Sequence, residues 1–212
     1  GPVATRGTVK GLTSEELCEA GTQFLLANAY HLELRPGSEE IEGANGLHEF
    51  MNWGRPIITD SGGYQVFSLS ELRDITEDGV SFQSPIDGSY MFIGPREAMD
   101  IQQRLGADIA MCFDECPPSP CEHRVAQDAV DRTIRWAEKC LKAHDRDGQN
   151  LFGIVQGSTF EDLRCHCAEK LGEMDFDGYA IGGVSVGEEE ELRNRVVAYT
   201  APLLPGAKPR YL

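Results

Sequence analysis

The chain has 212 residues, 41% of them hydrophobic and 25% charged, and this composition excludes a disordered chain. Its 35 acidic and 19 basic side chains give a formal net charge of −16, which repels polyanions, so a nucleic-acid partner requires a local basic patch or basic residues supplied from elsewhere. Because no apolar run reaches the length of a membrane span and no signal peptide opens the chain, we expect a cytoplasmic protein with no membrane contact, whose seven cysteines stay free thiols.

The first part of the chain predicts short elements that lead to a buried strand at residue 57. Thr13, followed by a serine and two glutamates, is typical of a helix start, and this helix should end before Gly21. Residues 24–27 predict an apolar strand, and we expect the polar and aromatic residues 28–32 to form a loop after it. The other elements predicted here are an extended segment at 2–6 and short helices at 37–44 and 46–53.

An antiparallel insertion is predicted at about residues 75–94. Strand-forming residues occupy 80–83 and 90–93, and the segment between them contains Pro85 and Gly88, which are typical of turns. We therefore expect a β-hairpin inserted after the strand at 57.

From Pro95 onward, helices and strands alternate along the chain. Proline is favoured in the first turn of a helix, and acidic residues follow it here. The predicted helices lie at 95–105, 122–143, 160–171 and 189–199, and the predicted strands at 109–113, 150–155, 178–181 and from 209 to the last residue. Alternation at this spacing is typical of parallel βα units.

The number of these units indicates the architecture of this α/β protein. Six units and the start of a seventh strand are more than half of a doubly wound sheet contains. They are fewer than the eight units of a (β/α)8 TIM barrel, which needs about 250 residues. We therefore expect residues 1–212 to form a partial TIM barrel with about the first six βα units. An open doubly wound sheet is the alternative, and the lack of a Gly-x-Gly-x-x-Gly turn after the first strand disfavours it.

Most of the predicted strands end in a polar residue or a glycine pair. A single aspartate in an Asp-Ser-Gly-Gly turn more often forms hydrogen bonds with nearby main-chain groups. Because a polar residue or a glycine pair recurs at the ends of several predicted strands, we favour a common binding site for these residues. In a barrel these ends face one mouth. The residues at these ends are Asn28, Asp60, Asp114, Gln156 and the pair Gly182-Gly183.

Such a set suits a flat heterocycle with a donor–acceptor edge. Asp114 would accept from a pair of N–H groups, as carboxylates do at base edges, while Gln156 and the Gly183 N–H would donate to an exocyclic oxygen. Tyr64 would stack on the ring, and Asp60 would remain free for proton transfer. The residues themselves thus indicate a ligand similar to a nucleobase.

Five segments around these residues carry a longer pattern. They read LANAYHLELRPG (26–37), TDSGGYQ (59–65), FDEC (113–116), GIVQGS (153–158) and IGGVSVGE (181–188). In this order and spacing the chain resembles the tRNA-guanine transglycosylase (queuine tRNA-ribosyltransferase) family of the bacterial type. The resemblance implies a TIM-barrel pentosyltransferase that exchanges guanine at the wobble position of the tRNA anticodon for a 7-deazaguanine base, in queuosine biosynthesis.

The resemblance also implies roles for individual residues. Asp60 matches the carboxylate that assists proton transfer, which makes it the catalytic residue of this chain. Cys116 and Val186 match a narrow pocket, which implies the 7-aminomethyl precursor base rather than queuine as the substrate. The implied substrate-binding residues, which read the base, stack on it or lie near the ribose, are Asn28, Ser61, Tyr64, Gln65, Asp114, Cys116, Gln156, Gly182, Gly183 and Val184.

The chain departs from the family pattern in two respects. Ala29 stands where a threonine is usual, which removes a minor hydrogen bond. The nucleophilic aspartate of the double displacement, a structural zinc site and most of the basic tRNA-binding surface are expected after Leu212. We therefore expect a fragment, or one half of a split enzyme, that is inactive alone. Its complete form would be a homodimer that binds the anticodon loop of tRNA.

No cofactor or metal is expected within these 212 residues. Cys116 and Cys121, and likewise Cys165 with Cys167, have no second pair at the spacing of a zinc site. Two other functions remain open. One is a non-catalytic tRNA-binding subunit of such an enzyme, and the other is an unrelated barrel that binds a purine-like metabolite.

Overall fold

The computed structural model describes residues 1–69 and 73–212, and for residues 69 and 73 it describes the main chain alone. Within these ranges the strands are β1 (Leu25–Ala27), β2 (Ile57–Thr59), β3 (Arg73–Ile75), β4 (Val80–Gln83), β5 (Tyr90–Ile93), β6 (Ile109–Met111), β7 (Asn150–Val155), β8 (Gly178–Ile181) and β9 (Arg210–Tyr211). The helices are α1 (Ser14–Glu19), α2 (Ala29–Leu34), α3 (Ser38–Gly43), α4 (Leu47–Met51), α5 (Gly63–Leu69), α6 (Pro95–Leu105), α7 (His123–Ala143), α8 (Glu161–Gly172) and α9 (Glu190–Thr200). Every helix in the described ranges is too short or too polar to span a lipid bilayer.

Six strands form one parallel sheet in the order β1-β2-β6-β7-β8-β9. Each neighbouring pair is parallel and is joined through at least one helix, and the sheet curls into a half-barrel. This confirms the predicted partial TIM barrel, and β9 pairs with β8 where a further strand was expected. The extended segment predicted at 2–6 contributes only an isolated bridge from Val3 to Leu26, so among the described residues the parallel sheet has six strands, one fewer than the sequence predicts.

The central strands are apolar on both faces. In β7 every residue after Asn150 is buried, and all four residues of β8 are buried. Such continuous apolar runs are typical of parallel strands covered by helices on one side and by the barrel interior on the other. Since all six strands run in the same direction, the residues that follow them meet at one edge of the sheet.

The insertion forms a separate antiparallel sheet of β3, β4 and β5. Strands β4 and β5 pair from Val80↔Ile93 to Gln83↔Tyr90 in the region where the hairpin is predicted, and β3 pairs with β4 as a strand that the prediction lacks. Glu77, in the turn before β4, accepts two bonds from Arg135 of α7 at 2.7 and 2.8 Å. This ion pair and neighbouring contacts fix the insertion on the outer layer of helices.

The prediction of a loop at 28–32 is wrong, because helix α2 begins at Ala29. Tyr30 and Leu32 are buried, and the Tyr30 ring lies 5.7 Å from that of Phe82 in the insertion. Packing against a distant part of the chain stabilises this helical turn, and local sequence carries no sign of it. Helix α5 is also absent from the prediction, in which its first glycine was assigned to a tight loop.

Gln102 of α6 separates β2 from β6 near the carboxyl ends of these strands. The two strands share only the pair Ile58↔Ile109 in their ladder. Beyond it, the main-chain N–H of Met111 donates to Gln102 Oε1 at 3.0 Å, and Gln102 Nε2 donates to the Met111 carbonyl at 2.8 Å. The hydroxyl of Thr59 also donates to Gln102 Oε1, at 2.9 Å. A buried side-chain amide therefore replaces the sheet partner and leaves room between the two strand ends.

We expect Gln102→Leu to lower the free energy of unfolding by roughly 3 kcal/mol, because it leaves the main-chain N–H and carbonyl of Met111 without their partner, at about 1–3 kcal/mol each. Chemical denaturation of the full-length protein measures the change. The control is Gln103→Leu at the neighbouring, partly exposed position, where the side chain accepts one bond from the Asp145 N–H at 2.8 Å. Equal destabilisation by both substitutions would contradict the role given to Gln102.

Candidate active site

A cavity of about 280 Å³ lies at the edge of the sheet where the parallel strands end. Apolar strand residues form part of its wall: Leu26, Met111, Ile154, Ala180 and Ile181. Ten of the eleven predicted site residues also line it, namely Asp60, Ser61, Tyr64, Gln65, Asp114, Cys116, Gln156, Gly182, Gly183 and Val184. The eleventh, Asn28, contacts the cavity indirectly through Asp60. Residues that are distant in sequence thus converge on one place, while their individual roles remain predictions.

Asp60 follows β2, and its carboxylate is held between the first turns of two helices. Asn28 Nδ2 donates to Oδ2 at 2.5 Å, and the Ala29 N–H at the start of α2 donates to Oδ1 at 2.8 Å. From α5, Gln65 Nε2 donates to Oδ2 at 3.0 Å. The contact with residue 29 uses the main chain, so it does not depend on the side chain at that position. Burial raises the pKa of Asp60, and the hydrogen bonds oppose this shift only in part.

Asp114 follows β6, and its carboxylate connects the ends of two neighbouring strands. Ser61 Oγ, after β2, donates to Oδ1 at 2.6 Å, and Gln156 Nε2, after β7, donates to Oδ2 at 2.6 Å. The Gly63 N–H in turn donates to Ser61 Oγ at 3.0 Å. Burial raises the pKa of Asp114 to about 6, while these two donors lower it and the nearby charge of Asp60 raises it further.

The glycine pair after β8 lets the main chain pass directly against Gln156. Gly183 has φ +62°, and a Cβ atom at this position would overlap Gln156 Oε1. A Cβ atom at Gly182 would lie 2.5 Å from Ile154 Cγ2. Gln156 Oε1 itself is buried without a hydrogen-bond partner among the described residues. Both positions therefore require glycine, because any side chain there would collide with Gln156 or Ile154. The Gln156 Oε1 atom remains available to accept a hydrogen bond beside the cavity.

Tyr64, Cys116 and Val186 stand between this cavity and a second one of about 320 Å³. The second cavity is otherwise lined by Phe67, Ser68, Pro117, Pro118 and Ser119. Tyr64 lies in the first turn of α5, and 48% of its surface is exposed, so its ring is accessible to a ligand. Cys116 is buried, and burial raises the pKa of its thiol to about 12, which keeps it neutral.

Sequence reasoning missed two polar residues that support the site, Gln102 and Arg164. Both lie on the buried faces of their helices: Gln102 shares its face with Ala98 and Leu105, and Arg164 shares its own with Ala168 and Leu171. The spacing of three and four residues is the signal that could have identified them, because a polar side chain in a buried helical stripe must find polar partners. Tyr211 of β9, which also lines the cavity, was predicted only as part of a strand.

The described residues contain no group of three His, Cys, Asp or Glu side chains arranged to hold a metal ion.

We expect the carboxyl group of Asp114 to titrate near pH 6 in the folded protein, because burial disfavours its charged form more than its two donors favour it. The titration is measured by ¹³C NMR of protein labelled at the aspartate carboxyl carbons, with Asp114→Asn for assignment. Asp162 is an exposed control, since its bond to His123 Nε2 at 2.7 Å holds its pKa below the ordinary value. A midpoint for Asp114 at or below that of Asp162 would contradict its buried placement.

Comparison with known proteins adds to this geometry. The family model described as queuine tRNA-ribosyltransferase matches residues 1–212. Proteins named queuine tRNA-ribosyltransferase from Pelotomaculum thermopropionicum and Halalkalibacterium halodurans are 58% and 57% identical over 100% of this chain, which covers 57% and 56% of their respective lengths. One from Bacillus licheniformis is 57% identical, again over 100% of this chain and 56% of that protein. The chain thus spans little more than half the length of the curated relatives it matches, and it belongs to the queuine tRNA-ribosyltransferase family.

Proposed function

We propose that this site serves base exchange on tRNA, in which guanine at the anticodon wobble position is replaced with 7-aminomethyl-7-deazaguanine in queuosine biosynthesis. The observation that carries the proposal is the convergence of Asp60, Asp114 and Gln156 on one cavity. The name of the relatives supports it, since it describes transfer of a ribosyl group on tRNA.

Asp114 reads the edge of the base. Ser61 and Gln156 each donate one hydrogen bond to its carboxylate, which has about four acceptor positions, so acceptors remain for the N1–H and 2-amino groups of guanine. Only the ionised form accepts from both groups. Because its pKa is raised to about 6, the carboxyl is mostly ionised at neutral pH, and base binding weakens as the pH falls through 6.

Gln156 and the main chain of Gly183 face the exocyclic oxygen of the base. Gln156 Nε2 lies beside Gly182 and donates one of its two N–H groups to Asp114, so its second N–H and the main-chain N–H of Gly183 are the donors that we assign to the 6-oxo group. A base without this oxygen leaves the donors unpaired in a buried site, which is how such sites reject analogues. Tyr64, at the side of the cavity, stacks on the ring.

Asp60 moves a proton at the reacting end of the base. A general acid or base works best when its pKa is close to the operating pH, and burial raises the pKa of Asp60 in that direction. Asn28 and Gln65, which donate to this carboxylate, orient it and lie near the ribose of the exchanged nucleotide. The residue arrangement therefore separates base recognition at Asp114 from proton transfer at Asp60.

The exchange proceeds as a double displacement. A second carboxylate, which the resemblance implies in the sequence after Leu212, attacks the anomeric carbon of the ribose, and guanine leaves as it gains a proton. The incoming deazaguanine base gives up a proton and reverses the step. We extend the proposal to the rest of the protein: a cytoplasmic homodimer that holds the tRNA anticodon loop, with a structural zinc in the later part.

Loss of exchange in aspartate variants is the direct test. We expect the full-length protein to incorporate labelled guanine into tRNA, and Asp60→Asn or Asp114→Asn to reduce the rate by at least about a hundredfold, since each substitution removes a charge that the transition state or the bound base requires. The measurement is radiolabel recovered in tRNA as a function of time. For the wild type, the ratio kcat/KM should fall as the pH drops below about 6.

Asp147→Asn, at an exposed turn, is the matched control and should leave the rate unchanged. Full exchange activity in the Asp114 variant would contradict the proposal. A protein that binds the anticodon loop but exchanges no base would favour the non-catalytic subunit, and one that binds a purine but no tRNA would favour a metabolite-binding barrel.

The wall between the two cavities, formed by Tyr64, Cys116 and Val186, should limit the size of the base that the site accepts. We expect the double substitution Cys116→Gly with Val186→Gly to join the cavities of about 280 and 320 Å³ and to admit 7-deazaguanines with larger 7-substituents, including queuine. Competition of queuine with labelled guanine measures the effect. Ser68→Gly, which alters the second cavity alone, is the control. Unchanged exclusion of queuine by the double variant would contradict this role of the wall.

A further inference from the structure

Arg164 is a fully buried charged residue beneath two loops of the base site. It lies in the first turns of α8, and its side chain has 0% exposure. Burial lowers the pKa of its guanidinium, which reflects the cost of keeping the charge away from water. A buried charge is tolerated only when hydrogen bonds to surrounding polar groups offset the cost of its desolvation.

The guanidinium of Arg164 donates three hydrogen bonds to main-chain carbonyl oxygens on two neighbouring loops. Nη1 donates to Val155 at 2.9 Å and Nε donates to Ser158 at 2.8 Å, so the residues on either side of the Gln156-Gly157 turn are both fixed. Nη2 reaches across to the Gly183 carbonyl at 3.3 Å. A planar guanidinium holds its donors in a rigid fork, so these bonds set the spacing between the loop after β7 and the loop after β8.

Both loops have backbone conformations that need such support. Ser158 has φ +50°, in the left-handed region that non-glycine residues rarely adopt, and Gly183 has φ +62°. The peptide between Gly183 and Val184 is trans, so the N–H of Val184 points opposite to the carbonyl that Arg164 holds. Because Val184 lines the cavity, fixing that carbonyl also fixes the orientation of this peptide at the site.

We propose that Arg164 is a positioning residue whose guanidinium holds Gln156 and Gly183 at the spacing at which they bind the exocyclic oxygen of a guanine-type base. The inference rests on the proposed function of the cavity. Arg164 itself does not line the cavity. Its effect is greatest on the oxygen side of the base, because Arg164 bonds to Gly183 and to both sides of the Gln156-Gly157 turn, whereas Asp114 is also held by Ser61, which has no bond to Arg164.

The test compares guanine with 6-thioguanine, which keeps the N1–H and 2-amino groups and replaces only the oxygen with a poorer acceptor. Binding of each base to the full-length protein is measured by calorimetry for wild type, Arg164→Lys and Arg164→Met. We expect both variants to lose about tenfold in affinity for guanine, as one or two hydrogen bonds become misaligned. Their affinity for 6-thioguanine should change much less, so the preference for oxygen over sulfur collapses.

Lys170→Met, on the same helix but half-exposed and bonded to Glu173 at 3.0 Å, is the matched control and should bind both bases as the wild type does. The thermal midpoint is recorded for each variant, and Arg164→Lys, which keeps the charge, decides the question if Arg164→Met does not fold. An unchanged preference for oxygen over sulfur, whether affinity is kept or lost equally for both bases, would overturn the inference.

The Asp114→Asn variant distinguishes failure of this inference from failure of the proposed function. If that variant binds guanine as the wild type does, the cavity is not the binding site of the base, and this inference fails together with the proposed function.

Discussion

The carboxylate of Asp114 is the interaction on which the site depends, because it joins three strand ends. Asp114 follows β6, and it accepts from Ser61 after β2 and from Gln156 after β7, both at 2.6 Å. Charge-assisted hydrogen bonds of this kind are short and directional, so the three loops are locked in relative position. One layer below, the Gln102 amide takes the place of β2 as the hydrogen-bond partner of the Met111 main chain, and Met111 itself lines the cavity.

Burying two carboxylates and a guanidinium in one region is costly, and the structure offsets this cost with hydrogen bonds rather than with close ion pairs. Asn28, Ala29 and Gln65 donate to Asp60, Ser61 and Gln156 donate to Asp114, and Arg164 donates to three main-chain carbonyl oxygens. The residual desolvation appears as raised pKa values of both acids. Groups whose charged and neutral forms are close in energy suit proton transfer and reversible binding of a polar base. The incomplete compensation of this desolvation therefore lowers the stability of the fold at the candidate site.

Three of the four buried cysteines, all except Cys116, have a structural role in this fold. The sulfur atoms of Cys112, Cys140 and Cys167 each accept a main-chain N–H at 3.3 Å, from Ile154, Phe113 and Gln156 respectively. Burial raises the pKa of the Cys140 and Cys167 thiols to about 12, so they remain neutral and weakly reactive. Two of these hydrogen bonds come from the main-chain N–H groups of Phe113, which directly precedes Asp114, and of Gln156. The thiols therefore help to fix the strand ends that carry the site, which accounts for cysteines that form neither disulfides nor metal clusters among the described residues.

The sequence alone determined the parallel half-barrel, because apolar runs such as 150–155 and amphipathic runs such as 122–143 have periods that local chemistry imposes. It also determined which residues follow the strands, and hence that Asp60, Asp114 and Gln156 lie at one edge. Only the tertiary structure decided that residues 29–34 form a helix, since Tyr30 gains its packing partner Phe82 from the distant insertion. The hydrogen-bond partners of Gln102 and Arg164 were likewise decided there, because they are main-chain groups that other segments of the chain bring to these buried side chains.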